Sequence, residues 1–258
     1  MMPRARRRAE ADVHTVTVLG TLADNYTYVI ESASDAVVID PGEASPVLRT
    51  LVRTGSRLLA VLCTHGHFDH TGGSQELSLR TGCAVMLPDA ALAQDGAVAL
   101  GPLRFTVLRT PGHSTDSVSL YLPPEDGAAG DLFTGDTLFI GGCGRLLTRS
   151  PEKMWSSLQL LAALPPETRV YPGHDYTLEN YEFAATVEPD NRLVRARLEQ
   201  IRTLIEADMP TVPSTIGLEL ATNPFLRATQ PEMKHALEMD DAQDVEVFAE
   251  LRRRKDRF

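Results

Sequence analysis

The stretch Thr64-His65-Gly66-His67-Phe68-Asp69-His70-Thr71-Gly72-Gly73 decides how the rest of the chain is read. It follows Leu58-Leu59-Ala60-Val61-Leu62-Cys63, an unbroken apolar run suited to a strand buried on both faces. The chain therefore leaves a sheet and enters a polar loop with three histidines and an aspartate in the six residues from His65 to His70. A lone histidine after a strand is more often a satisfied polar residue than a ligand. So many ionisable groups in one short loop are costly to bury unless a metal binds them.

The same pattern recurs downstream. His113 in Thr110-Pro111-Gly112-His113, Asp136 in Phe133-Thr134-Gly135-Asp136-Thr137 and His174 in Tyr171-Pro172-Gly173-His174 each come just after a strand-like run, where loops at one sheet edge converge. Of the seven histidines only His14 and His235 fall outside these positions. Imidazoles and carboxylates suit zinc and the harder first-row metals, and the lack of cysteine among them argues against soft-metal or iron–sulfur chemistry. His65-x-His67 brings two imidazoles within reach of one ion, and Asp69-His70 begins a second set. Seven candidate ligands exceed what one tetrahedral ion can use. Two divalent ions are therefore expected, about 3.5 to 4 Å apart, zinc first, with iron or manganese equally suited to the donors.

Composition narrows the class of protein around this loop. The chain has 258 residues, long for one domain and short for three. Its net charge of −10 opposes a nucleic-acid scaffold that works by overall charge, and no apolar run approaches the ~20 residues of a membrane-spanning helix. Three cysteines (Cys63, Cys83, Cys143) cannot form a disulfide framework and suit a reducing compartment, so a cytoplasmic protein is expected. The opening MMPRARRR reads as a frayed basic tail over 1–11, with a targeting segment or a phosphate-seeking arm as alternatives. The sequence is silent on oligomeric state, and a monomer is the default.

Strands are expected at Val13 to Leu19, Tyr26 to Ile30, Ala36 to Ile39, Ala84 to Leu87, Phe105 to Leu108, Ser117 to Leu122, Asp131 to Thr134 and Arg169 to Tyr171, with helices near Ala44 to Arg53, Ser74 to Arg80 and Met154 to Ala163. Ser150-Pro151-Glu152 is a strong start for the last of these. After His174 the pattern turns helical, at Tyr176 to Val187, Asn191 to Ile205 and Asp244 to Lys255, around a turn-rich middle from Thr211 to Arg227. An α/β domain over 12–175 and a mostly helical one over 176–258 follow.

The histidine loop resembles the signature Thr-His-x-His-x-Asp-His of the metallo-β-lactamase superfamily, and within it the chain is similar to the glyoxalase II enzymes, the hydroxyacylglutathione hydrolases. Asp24-Asn25-Tyr26-Thr27-Tyr28, Thr134-Gly135-Asp136-Thr137-Leu138-Phe139, Gly142-Cys143-Gly144-Arg145, Val212-Pro213-Ser214-Thr215, Asn223-Pro224-Phe225-Leu226-Arg227 and Arg254-Lys255-Asp256-Arg257-Phe258 carry that likeness over nearly the whole chain. It implies an αββα sandwich followed by a helical substrate-binding domain. It assigns His65, His67 and His113 to a first metal, Asp69, His70 and His174 to a second, and Asp136 as the bridge. It also implies that Arg145, Tyr176, Arg252 and Lys255 hold glutathione. One departure stands out: where the family continues with two aromatic residues and Glu-Gly, this chain has Leu146-Leu147-Thr148-Arg149, so a phenol that grips glutathione is missing, with Arg149 a candidate compensating charge.

The implied reaction is the second step of methylglyoxal detoxification, hydrolysis of S-D-lactoylglutathione and related 2-hydroxyacylglutathiones to glutathione and the hydroxy acid. A metal-bridging hydroxide would attack the thioester carbonyl, because metal binding brings the pKa of water to roughly 7. Asp69 would orient it, Asp136 would bridge the ions, and a thiolate leaving group with a pKa near 8.5 needs little help from an acid. A basic end such as Arg252-Arg253-Arg254-Lys255 is ordinarily a solvated helix face, yet on an acidic protein it offers a dicarboxylate somewhere to dock. Cys143 reads as a packed small residue rather than a nucleophile. The rival on this fold is a persulfide dioxygenase using one iron at the positions of His65, His113 and Asp136. Such enzymes are shorter after His174 and carry Gly-Arg-Thr-Asp where Gly144-Arg145-Leu146-Leu147 stands here. A nucleic-acid processing member would want a basic surface, and a non-catalytic metal binder would be expected to lack a ligand.

Overall fold

The computed structural model describes residues 14–88, 96–124 and 129–258, and the tail expected over 1–11 lies outside them. A first sheet places β1 (Thr15–Thr21), β2 (Asn25–Ser32), β3 (Asp35–Ile39), β4 (Arg57–Leu62) and β5 (Ala84–Met86) side by side in that order. The first three are antiparallel, while β3, β4 and β5 run parallel. Parallel neighbours require crossovers, supplied by α1 (Ala44–Thr54) and then by α2 (Phe68–Thr71) with α3 (Ser74–Thr81). Successive side chains of a strand point to opposite faces, so an all-apolar strand needs cover on both. In β3, Val37 and Ile39 face the second sheet, whereas Ala36 and Val38 pack with Val47 and Leu51 of α1 and Leu77 of α3.

The second sheet contains β6 (Ala97–Leu100), β7 (Leu103–Arg109), β8 (Val118–Leu122), β9 (Asp131–Gly135), β12 (Arg169–Pro172) and β13 (Ser214–Thr215), in the order β13-β12-β9-β8-β7-β6. Between β9 and β12 the chain forms a ribbon of β10 (Leu138–Phe139) with β11 (Gly142–Cys143), then α4 (Pro151–Ala162). The Ser150 side chain accepts from the Lys153 amide and Pro151 opens the helix, as the sequence predicts. Phe133 and Tyr171 face the first sheet, while Leu132 and Val170 face Met154, Leu158 and Leu161 of α4. The result is the expected αββα sandwich.

Five helices follow His174: α5 (Thr177–Val187), α6 (Arg192–Glu206), α7 (Ile216–Thr222), α8 (Pro231–Ala236) and α9 (Asp244–Lys255). They share the sandwich's cores. Tyr181, Ala184, Val194 and Ile201 join the core between the sheets, and Phe183, Ile216, Phe225, Phe248 and Leu251 join the one around α4. Among the described residues no helix is long and apolar enough to cross a membrane.

The turn-rich middle expected from Thr211 to Arg227 is more ordered than that reading. It holds β13 and α7, because Thr215 accepts the Leu218 amide as a helix cap and Ile216 is fully buried. Two-residue strands are too short to show a period, which is why β10, β11 and β13 leave no sequence signal. At the far end of β9, buried Asp131 takes Arg169 Nε at 2.5 Å and Nη2 at 2.7 Å, with His14 Nε2 also at 2.5 Å. Asp131→Ala removes the shared acceptor and is expected to lower stability by about 2–3 kcal/mol, less than a fully buried pair because Arg169 keeps some water contact. A calorimetric Tm lower by about 5–10 °C would register it, and an unchanged Tm would show the cluster to be dispensable.

Candidate active site

Strand direction explains where the chemistry gathers. β3 and β4 run parallel, β9 and β12 run parallel, and β7 shares the sense of β9 because both are antiparallel to β8. The loops leaving their C-terminal ends carry Asp40, the His65–His70 segment, His113, Asp136 and His174. The two sheet edges are tied together there by the Val118 amide on Thr64 O and the Tyr26 amide on Gly173 O, each at 2.8 Å. Gly135, with φ +47, brings the Asp136 turn so close to Thr64 that a Cβ would run into that side chain.

All seven sequence-predicted ligands converge. His67 Nδ1 stands 3.0 Å from His65 Nε2 and 3.1 Å from His113 Nε2. His70 Nε2 and His174 Nε2 are 3.3 Å apart, with Asp69 Oδ2 at 3.4 and 3.3 Å from them. Asp136 lies between the two groups, Oδ1 3.4 Å from His70 Nε2 and Oδ2 3.4 Å from His113 Nε2 and 3.5 Å from His174 Nε2. Donors bound at 2.0–2.1 Å to a tetrahedral ion stand about 3.3 Å from one another, so the spacing suits a divalent ion in each group. Asp136 Oδ1 is buried without a hydrogen-bond partner. A Cβ at Gly173 would come 2.5 Å from that oxygen, so glycine keeps the space beside it open. The donor set, the orphaned oxygen and the open space fit divalent metal ions.

The outward ring nitrogens fix which tautomers face inward. Thr64 Oγ1 donates to Asp40 Oδ2 at 2.7 Å, so it must accept from His65 Nδ1 at 3.1 Å, leaving the Nε2 lone pair inward. His70 Nδ1 donates to Asp40 at 2.9 Å, His174 Nδ1 to Asp24 at 2.8 Å and His113 Nδ1 to Arg145 O at 3.1 Å. Asn25 Nδ2 donates to Asp69 Oδ2 at 3.0 Å. Burial pushes His65 down to about 4 and lowers His113, keeping both neutral. Burial works against charge on His70 too, yet Asp40 and then Asp69 raise its affinity for a second proton well above the usual histidine range, and a divalent ion at Nε2 would take that proton's place. Burial pulls Asp136 up, and the closeness of His174 and then of the other surrounding imidazoles holds it at about 2.

Asp40 and Asp24 are the functional residues that the sequence reading misses. Asp40 had a signal, since Ile39-Asp40-Pro41-Gly42 repeats the strand-then-Pro-Gly pattern of His113 and His174.

Beside the donors opens a cavity of about 830 Å³, and Arg145, Tyr176, Arg252 and Lys255 all line it. Arg145 is exposed, and its guanidinium has no hydrogen-bond or ion-pair partner among the described residues. Lys255 is paired with Glu179, and Arg252 donates to Asp256 and, at 2.8 Å, to Cys143 O. The Tyr176 ring stacks on His174 with centroids 4.9 Å apart, and burial pushes its phenol up to about 12, so it keeps its proton. Leu146 and Leu147, at the departure noted in the sequence, form part of the wall. The Arg149 amide closes a turn onto Leu146 O, and its side chain is exposed and is not among those lining the cavity. Cys143 is buried in the core around α4, its thiol pushed up to about 11 by burial, which suits packing rather than attack.

Comparison with known proteins places the chain. A family model for the hydroxyacylglutathione hydrolase C-terminus matches residues 175–258, and one for the metallo-beta-lactamase superfamily matches 20–95 and 85–174. A hydroxyacylglutathione hydrolase of Methylococcus capsulatus is 46% identical over 249 residues, 92% of this chain and 96% of that protein. Among solved structures, ETHE1 from Myxococcus xanthus superposes with a TM-score of 0.61 at 28% identity, covering 91% of this chain and 95% of its own. A protein called TTHA1623, solved in a di-iron-bound form, gives 0.58 at 31% identity, covering 82% of this chain and 100% of its own. With five imidazoles and two carboxylates converging at the sandwich edge and relatives aligned over almost its full length, the chain belongs to the hydroxyacylglutathione hydrolase family of the metallo-β-lactamase superfamily.

Proposed function

We propose that this chain is a binuclear-metal thioesterase that hydrolyses S-D-lactoylglutathione and related 2-hydroxyacylglutathiones to glutathione and the free hydroxy acid. The observation that carries the reading is the meeting of two donor groups around Asp136 at the wall of a cavity whose mouth bears the unpaired cation Arg145. His65, His67 and His113 would hold one divalent ion, Asp69, His70 and His174 the other, with Asp136 between them. The di-iron form of TTHA1623 supports two-ion occupancy, and zinc, iron and manganese all suit the donors. Bound ions would supply an ionised water at neutral pH and offset charge developing on the carbonyl oxygen.

The chain's own residues do the rest. Asp69 is kept a carboxylate by His70, against its partial burial, and by the Asn25 amide, and so orients the attacking water. Asp136, also kept ionised, holds the two groups of donors together. The Tyr176 phenol retains its proton and donates toward the substrate. Arg145 is the free guanidinium for a glutathione carboxylate, which it can grip with two parallel hydrogen bonds. Lys255 adds positive charge on the same wall, and Arg252 backs it from within its pairing to Asp256. Within this reading the 12–175 segment carries the chemistry and 176–258 shapes the substrate site. No acid faces the leaving sulfur by necessity, because a thiolate departs readily near neutral pH.

The test is thiol release from S-D-lactoylglutathione by the metal-replete protein, with oxygen uptake on glutathione persulfide run in parallel. Rapid thiol release without oxygen uptake is expected. Oxygen uptake with negligible thiol release would replace the reading by the mono-iron dioxygenase. Arg145→Ala is expected to raise KM about tenfold with kcat nearly unchanged, since a charge-assisted contact to the distant carboxylate is lost equally from ground and transition states. A wild-type KM in that variant would remove Arg145 from the binding role.

A further inference from the structure

The cavity wall around Arg145 begins in the β10–β11 ribbon, and that ribbon is too small to hold itself in place. It pairs only Leu138 with Cys143 and Phe139 with Gly142, and an isolated two-stranded hairpin is marginal even at greater length. Its backbone is instead gripped by side chains from the helices after His174. Asn223 Nδ2 donates to Phe139 O at 3.2 Å and to Gly142 O at 3.0 Å. Asn180 Nδ2 donates to Ile140 O at 3.1 Å, and Arg252 Nη1 to Cys143 O at 2.8 Å. The Gly141 amide donates to Glu219 Oε2 at 2.8 Å.

Glu219 is the centre of this grip. It is fully buried, and each of its oxygens has a donor: Ser214 Oγ on Oε1 at 2.5 Å, and Gly141 N with Asn223 Nδ2, the latter at 3.0 Å, on Oε2. A buried polar network whose members are all satisfied favours one backbone arrangement over its alternatives. On its cavity side the same segment presents Phe139, Cys143, Gly144 and Arg145. The Asp136 turn meets the ribbon through Thr134 Oγ1 on Leu138 O at 2.6 Å and has an anchor outside it in Thr137 Oγ1 on Thr110 O at 3.2 Å.

We propose that Glu219 and Asn223, aided by Asn180 and Arg252, are positioning residues that template the Phe139–Cys143 ribbon from behind and so set where Arg145 meets the substrate. This rests on the thioesterase reading above. Their loss displaces the substrate wall, while the metal donors keep their other anchors, the contact that crosses between the two being His113 Nδ1 on Arg145 O at 3.1 Å.

The experiment compares Glu219→Ala and Glu219→Gln with wild type in the metal-replete full chain, reading KM and kcat for S-D-lactoylglutathione and metal content by mass spectrometry. The alanine variant is expected to raise KM about tenfold, with kcat and metal content near wild type. The glutamine variant is expected to rescue KM, because its amide oxygen still accepts from Gly141 and Asn223 while its NH2 turns to Ser214 Oγ. A wild-type KM in the folded alanine variant, a joint fall of KM performance and metal content, or a glutamine variant as damaged as alanine would each overturn the proposal. If the alanine variant does not fold, hydrogen exchange at the Gly141 amide of the unaltered chain decides: protection comparable to β12 supports the template, and free exchange overturns it. Absence of wild-type thioester hydrolysis would count against the thioesterase reading, whereas the exchange measurement judges the template independently of activity.

Discussion

Asp136→Ala is expected to lower kcat/KM for S-D-lactoylglutathione about a thousandfold or more, equivalent to about 4 kcal/mol of transition-state stabilisation. The reason is positional. Asp136 approaches both donor groups, reaching His70 and His174 on one side and His113 on the other. Without it, each remaining triplet keeps its nitrogens, but nothing holds a second ion close to the first. Metal content should therefore fall below two ions per chain together with activity. Folding should survive, since the Asp136 turn is held by Thr134 and Thr137 and not by the carboxylate. Metal analysis beside steady-state kinetics checks the expectation, and an alanine variant that keeps both ions and activity would refute the bridging role.

The second large effect is expected from Asp40→Asn, a change that preserves shape while reversing proton directions. Asp40 accepts the Thr64 amide and hydroxyl, each at 2.7 Å, and His70 Nδ1 at 2.9 Å. An amide NH2 at the Oδ2 position would donate to Thr64 Oγ1, which would then donate to His65 Nδ1. It would also face His70 Nδ1 as a donor. Both imidazoles would be driven to carry the proton on Nε2, the nitrogen aimed into the site. Partners of this kind influence metal affinity by about 10- to 100-fold, and a loss of that size is expected in competition against a chelator. Unchanged affinity would show that the tautomers are set elsewhere. Asp40→Ala is the harsher control, leaving buried donors unpaired at a stability cost of about 3 kcal/mol.

Much of this was legible in the sequence. The Thr64–His70 stretch announced the metal chemistry because ionisable groups do not crowd a loop without cause, and His113, Asp136 and His174 stood at strand ends in the same register. The strands of the sandwich were readable because β3 from Ala36 and β4 from Leu58 are unbroken apolar runs, and such strands demand helices on the outer face. Asp40 escaped although Pro41-Gly42 marked its strand end, because one aspartate there reads as a turn residue until Thr64 and His70 are brought to it. The ribbon and α7 escaped for a different reason. Their order comes from contacts across about eighty residues of sequence, Asn223 to Phe139 and Glu219 to Gly141, and local periodicity carries no trace of those. Similarly, Arg252 and Lys255 read as free cations in the sequence, while their pairing to Asp256 and Glu179 leaves Arg145 as the unpaired charge at the cavity.

The most direct measurement of the central claim is a titration of the metal-stripped chain with zinc, following thiol release from S-D-lactoylglutathione. Activity is expected to reach its plateau at two equivalents per chain. A plateau at one equivalent, or thiol release that is independent of added metal, would contradict the assignment of the two donor groups to a working pair of ions.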